Sequence, residues 1–158
     1  MRLTEAAVID QHTWVRERAS TVVPLINDVR DHLGAVFGTE VRTVERAAYQ
    51  DAVDEVFDDG ARGVNVAALV WILRELDVEN DYPGFVVDEI LGRELAGTIA
   101  GGQPRGLLAE ATFHVADIHV HEGRMAGADD LDAALAAGFQ TRLPGWSWTQ
   151  HEPFAGGE

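Results

Sequence analysis

The sequence of 158 residues contains no cysteine, no lysine and only two serines, Ser20 and Ser147. Without cysteine, disulfides, thiolate nucleophiles and thiolate metal sites are excluded, so His, Asp or Glu would have to hold any metal. Neither serine lies in a nucleophile-elbow motif, and "GTIAGGQPRG" lacks the Lys-Ser/Thr pair of a phosphate-binding loop. An apolar run long enough to span a bilayer and a secretory leader are also missing. We therefore expect a cytoplasmic protein that makes no membrane contact.

Positive charge is scarce. Twelve basic residues, all arginine, stand against 27 acidic residues and give a formal net charge of −15. Such a surface repels phosphate backbones, so direct binding of nucleic acid is disfavoured. Two interpretations stay open. The acidic surface could serve hydration and colloidal stability alone, or it could occupy a basic groove on a partner protein, as an acidic inhibitor does.

The apolar pattern predicts helices along almost the whole chain. We expect an all-α fold, a single helical bundle of four main helices plus shorter helices, over residues 1–143. Residues 144–158, with two of the four tryptophans, show no helical period. They are predicted to be a non-helical tail that packs on the bundle or is partly disordered. The predicted helices cover 4–22, Pro24 to Phe37, 39–58, 64–77, 84–100, a segment opened by Pro104, and a short helix capped by Asp129 or Asp130 and closed by Gly138.

Three of the six histidines lie in "EATFHVADIHVHEG", residues 110–123. As a strand, this segment would place Asp117, His119 and His121 on one face, a pattern found in metal-dependent hydrolases. As a helix, it would place a polar stripe beside an apolar side. The apolar side holds Leu108, Ala111, Val115, Ile118, Glu122 and Met125, and the polar stripe holds Glu110, His114, Asp117 and His121. Pro104 before the segment and Gly123 after it favour the helix, so we predict helix for residues 112–121.

Glu110 and His114 lie one turn apart, so they could share one divalent ion. A third ligand would have to come from another helix. His32, on the flank of an apolar stripe, is the first candidate and His12 the second. Each histidine also has an ordinary alternative. His114 could be a boundary residue paired with Glu110 or Asp117, and His32 could interact with the dipole at its helix C-terminus.

The motif Glu-x-x-x-His-x-x-Asp at Glu110, His114 and Asp117, followed by "RMAGADDLDAAL", resembles the C-terminal part of the DinB-like metal-binding helical bundles. "VRDHLG" at residues 29–34 is similar to the second helix of the same family, and the mycothiol-dependent maleylpyruvate isomerase group is the nearest in pattern. The resemblance implies a divalent metal (zinc, nickel or iron) held by His32, Glu110 and His114, with Asp117 in a supporting position. His121 is a further supporting candidate. The open coordination position of that family accepts water or a thiol cofactor.

Two functional hypotheses follow. The first, which we favour at this point, is a metal-dependent helical-bundle enzyme, a thiol-dependent transferase or isomerase acting on a small molecule. The second is a non-catalytic acidic protein-binding module, such as an inhibitor, immunity or regulatory protein, with a basic protein as its partner. The first requires His32, Glu110 and His114 to converge at one pocket. The second predicts no convergence, an acidic face, and binding that weakens with salt.

Overall fold

The computed structural model describes residues 1–76, 83–121 and 130–144. For residues 83–86, 88 and 119–121 it describes the backbone alone. Within these ranges every regular element is an α-helix, which confirms the predicted all-α bundle. The predicted tail 144–158 lies, Pro144 apart, outside the described residues. The helices are α1 (Glu5–Glu17), α2 (Ala19–Phe37), α3 (Arg46–Phe57), α4 (Gly60–Glu75), α5 (Pro83–Ala100), α6 (Arg105–His121) and α7 (Asp130–Gln140).

Helix α7 lies at the centre of the bundle. All of its residues, Asp130–Gln140, are buried, and it packs chiefly against α5, α6 and α2. Its sequence, "DLDAALAAGFQ", consists largely of small residues, which lets neighbouring backbones approach closely. A Cβ at Gly138 would lie 2.8 Å from Cβ of Ile99 and 3.0 Å from the carbonyl oxygen of Ala96, both on α5. The segment predicted as a short additional helix is therefore the element around which the others pack.

Local sequence explains where several helices begin and end. Thr4 caps α1, because its hydroxyl accepts a hydrogen bond of 3.1 Å from the backbone N–H of Ala7. Gly38 ends α2 in the left-handed conformation at φ 63°, which glycine adopts without strain. Helix α6 starts directly after Pro104, as predicted, and its helical state between 112 and 121 is confirmed.

Pro24 does not open a helix as predicted, since it lies inside α2, which begins at Ala19. Arg18 separates α1 from α2, and its carbonyl accepts the backbone N–H groups of Thr21 and Val22. Pro24 has no N–H to donate to the carbonyl of Ser20 four residues earlier. Both residues are exposed, so water can satisfy that carbonyl. The sequence therefore places the break between the first two helices at Pro24, six residues after its actual position at Arg18.

The helix predicted from residue 39 begins only at Arg46. Asn27 of α2 takes both backbone polar groups of Val44, with Val44 N–H donating over 2.7 Å and Asn27 Nδ2 donating to the Val44 carbonyl over 3.2 Å. These bonds replace the intrahelical bonds that residues 39–45 would otherwise form. A loop therefore follows α2, and it forms one wall of the groove described below.

A buried ion pair ties the start of α2 to the central helix. Asp132 is fully buried, and Arg18 donates to its two carboxylate oxygens from Nε over 2.8 Å and from Nη2 over 2.9 Å. Asp132 also lies in the first turn of α7, where the helix dipole favours a negative charge. The pair fixes the position of α7 relative to the α1–α2 junction.

No helix among the described ranges is both long enough and apolar enough to cross a membrane.

Candidate functional site

The predicted polar stripe of α6 faces outward. The buried side chains of this helix are Ala109, Thr112, Phe113 and Ala116, while Glu110 and His114 are exposed. Asp117 is half-buried, and the side chain of His121 lies outside the described residues. Ala111 and Ile118, predicted to face the core, are exposed. The helix is thus rotated about one residue from its predicted orientation.

His32, predicted on the flank of the apolar stripe of its helix, is also exposed. Among the described residues no three His, Asp or Glu side chains form a group that could hold a metal ion. The described structure shows no convergence of His32, Glu110 and His114 on one position. The metal site and its thiol-dependent chemistry stay predictions from the sequence.

His12, the second candidate ligand, takes part in a cluster of side chains that links α1 to α3. Its Nε2 lies 2.8 Å from Oδ1 of Asp54, and its ring stacks on Phe57 with centroids 4.6 Å apart. Nε of Arg16 donates to the same carboxylate over 3.1 Å. Burial alone would raise the pKa of Asp54, but the hydrogen bonds and charges of His12 and Arg16 outweigh it and lower that pKa. The cluster holds Asp54 ionised, as a structural ion pair requires.

A groove opens at the C-terminal end of α2. It has a volume of about 950 Å³ and runs between this helix end, the loop of residues 38–45 and the start of α3, with Pro144 at one side. Cavities that bind ligands have volumes of about 300–1,000 Å³. The groove is therefore large enough for a few side chains of a partner or for a small molecule.

Arg30 forms the floor of the groove and is 1% exposed. Its Nη1 donates to the carbonyls of Arg42 over 2.9 Å and Pro144 over 2.7 Å, and its Nη2 donates to those of Gln140 and Leu143 over 3.0 Å each. Burial, with a smaller effect from Arg42, lowers the pKa of Arg30 to about 10, so its charge persists at pH 7. Its role is to fasten the loop and the end of α7 to α2.

The open side of the groove carries exposed carboxylates. Asp31, Glu40 and Glu45 line it, and none of them forms an ion pair or side-chain hydrogen bond within the described part of the chain. Arg42 is the exposed cation of the lining. The accessible charge is therefore acidic, with three carboxylates against one guanidinium.

Two large apolar side chains are exposed at the end of the same helix. Val36 is 62% exposed and Phe37 is 65% exposed, although the apolar spacing of α2 predicts that both are buried. In the sequence they lie between Ala35 and Gly38, which line the groove, but they do not line it themselves. A helix end that carries exposed apolar residues next to a groove lined by carboxylates offers both apolar contact area and charge, as protein-binding surfaces do.

Only weak signals in the sequence indicate this groove. Gly38 marks the end of α2, but the segment after it has a helical period and hides the loop. Arg30 lies at helical spacing from the buried residues Ile26 and Leu33, so its position on the buried face could have been noticed. Its four carbonyl acceptors come mostly from residues 140–144, and no local pattern predicts such distant partners.

Comparison with curated proteins and with solved structures finds no match. The resemblance to the DinB-like bundles therefore stays a prediction. A protein-family model does match the whole chain, over residues 1–158. The chain belongs to the family described as Domain of unknown function (DUF7984).

Proposed function

We propose that the protein is a non-catalytic acidic binding module whose groove at the end of α2 takes a basic, partly apolar segment of a partner protein. The observation that carries the proposal is a groove lined by the exposed carboxylates of Asp31, Glu40 and Glu45 at the end of a helix whose last two residues, Val36 and Phe37, are exposed. We expect the protein in the cytoplasm, since a chain without cysteine has no disulfides that would need oxidising conditions.

Charge supports a basic partner. The net charge of −15 attracts cationic surfaces over long range and speeds their encounter. Since Asp31, Glu40 and Glu45 have no partner within the described part of the chain, an incoming arginine or lysine would not have to displace an existing ion pair. General attraction would bring the partner close, and the groove would set where it docks.

The apolar residues support a partner segment that is not purely charged. Exposed hydrophobic side chains cost free energy in water, and burying one large side chain contributes about 1.5–3 kcal/mol. Phe37 could pack against an aliphatic or aromatic side chain while the carboxylates hold flanking cations. We therefore expect the bound segment to contain basic residues around at least one large apolar residue.

The test measures binding of a fluorescein-labelled peptide with the repeat Arg-Arg-Leu-Ala by fluorescence anisotropy. Glu40→Gln with Glu45→Gln removes two charges at the groove. Glu5→Gln with Asp10→Asn removes two charges on α1 and serves as the control of equal net charge. We expect the groove pair to weaken binding about 10-fold, equivalent to about 1.4 kcal/mol, and the control pair to weaken it less than about 2-fold.

A second matched comparison tests the apolar part. Phe37→Ser should weaken binding of the same peptide, whereas Ile9→Ser, at a residue that is 57% exposed on α1, should not. Equal losses from the groove pair and the control pair would mean that the peptide binds the acidic surface at large. That result, or unchanged binding by Phe37→Ser, would overturn the proposal.

A further inference from the structure

Two arginines converge where α5 gives way to α6, and a third begins α6 close by in the chain, apart from the groove of the proposed function. Gly101 follows α5 with φ 96°, a conformation that favours glycine. A Cβ at Gly101 would lie 3.1 Å from Nη2 of Arg62 and 3.6 Å from Nη2 of Arg142. Two guanidinium groups, one from α4 and one from the turn after α7, therefore converge on the same backbone position. Arg105 opens α6 four residues further on.

Most of the donors in this cluster have no acceptor within the part of the chain that the structure describes. Arg62 Nη1 donates to Asp59, and Arg142 Nε donates to the carbonyl of Ile99 over 2.6 Å. Within the described residues, the Nη groups of Arg142 and the whole guanidinium of Arg105 form no hydrogen bond or ion pair. Arg16, Arg18 and Arg93, by contrast, each hold a carboxylate. In a chain with so many carboxylates, several arginines placed near one another call for a physical explanation.

The cluster is electrostatically unfavourable as it stands. Burial, followed by the charges of Arg105 and Arg62, lowers the pKa of Arg142, while Glu55 and Asp59 act in the opposite direction with smaller effects. Capping of α5 explains the bond from Arg142 Nε to Ile99, since a cation is favourable at a helix C-terminus. Helix capping does not explain why the Nη groups of Arg142 lack an acceptor among the described residues. It also does not explain the position of Arg105 at the start of α6. A bound anion would relieve the repulsion and accept the remaining donors.

We propose that Arg62, Arg105 and Arg142 form a binding site for a phosphate dianion, either free or as the terminal group of a small phosphorylated molecule. Planar guanidinium groups present parallel N–H donors that match the oxygens of phosphate. A carboxylate offers two oxygens and one charge, which a single arginine satisfies, whereas three arginines suit a doubly charged group with more acceptors. The start of α6 beside Arg105 adds the positive end of a helix dipole.

Thermal unfolding tests this site with inorganic phosphate as the probe. We expect 20 mM phosphate to raise the Tm of the protein by about 3 °C over potassium chloride of the same ionic strength. Arg105→Gln and Arg142→Gln should abolish this increment, and Arg105→Lys should retain part of it. Arg46→Gln, at an exposed arginine on α3 with no ion pair in the described part of the chain, should keep it in full.

Arg105 is exposed, so Arg105→Gln tests the site even where Arg142→Gln lowers the stability of the fold. Phenyl phosphate is the second arm. A larger increment than with inorganic phosphate would assign the site to a phosphate ester, and an equal increment would assign it to the free ion. An absent increment in the wild type, or one that survives Arg105→Gln, would overturn the proposal. Arginines with a purely structural role would change the Tm without phosphate and leave the increment untouched.

Discussion

Asp132 is the residue whose environment constrains the fold most. It carries a charge at the centre of the bundle with no exposed surface, and Arg18 holds both of its oxygens. Removing one partner of a buried pair leaves the other charge desolvated, which costs more than the pair itself contributes. An ion pair in such a place fixes which faces of α2 and α7 meet.

Arg18→Leu should therefore lower the free energy of unfolding by about 3 kcal/mol, measured by urea denaturation followed by circular dichroism. Arg16→Leu is the matched control, because its partner Asp54 is 38% exposed and the loss should stay under about 1 kcal/mol. Adding Asp132→Leu to Arg18→Leu should recover part of the loss. Equal losses in the two single variants would contradict the assigned role of Asp132.

On α6 one part of the sequence-based prediction is confirmed and another is wrong. Glu110 and His114 were correctly placed one turn apart, since helical spacing alone sets that distance. The side of α6 that is buried was predicted wrongly, because Leu108 and Ile118 dominate the apolar pattern. Phe113 and the small residues Ala109 and Ala116 face the core instead. That face packs against the small side chains of α7, so the sequence of α6 alone does not show which of its faces is buried.

At the scale of elements, α5 and α7 approach so closely that a side chain does not fit between them at Gly138. Alanine is ordinarily favoured over glycine inside a helix by about 1 kcal/mol. The Cβ of alanine at this position would, however, press against Ile99 and the backbone of Ala96. Overpacking of this kind costs about 1–3 kcal/mol.

Gly138→Ala should lower the free energy of unfolding by up to about 2 kcal/mol, the overpacking cost less the gain in helix propensity. Gly97→Ala is the control within α5, because its Cβ would lie 3.8 Å from Cγ of Glu110, an ordinary contact. That variant should leave stability unchanged or raise it by up to about 1 kcal/mol. A destabilising Gly97→Ala beside a neutral Gly138→Ala would contradict the described packing.

The presence of the helices is predictable from the sequence. Which helix lies at the centre of the bundle is not. Pro104 and Gly38 correctly marked one helix start and one helix end, because their backbone preferences act locally. The segment ending near Gly138 looked like a short addition, yet α7 is the central helix. Its length and composition do not distinguish a small helix at the surface from one enclosed on all sides.

At the scale of the whole molecule, the charge of −15 predicts how stability responds to salt. Like charges repel more strongly in the compact state than in the unfolded chain. Part of this repulsion falls along α3 and its C-cap, where Asp51, Glu55 and Asp58 are exposed at successive turns and the last two lie near the negative end of the helix dipole. Salt screens such interactions, since the Debye length falls from about 10 Å at 0.1 M to about 3 Å at 1 M.

The Tm should accordingly rise between 0.1 M and 1 M potassium chloride, measured by circular dichroism. Asp51→Asn should raise the Tm at 0.1 M and reduce its dependence on salt. A Tm that falls as salt is added would show that favourable ion pairs outweigh the self-repulsion of the acidic surface.

The measurement that tests the proposed binding function most directly is an amide chemical-shift titration of the isotope-labelled protein with the Arg-Arg-Leu-Ala peptide. We expect the largest shifts at residues 31–45, around Val36 and Phe37, with smaller changes on α1. Shifts spread evenly over the acidic helices, or concentrated away from residues 31–45, would contradict a binding site in the groove at the end of α2.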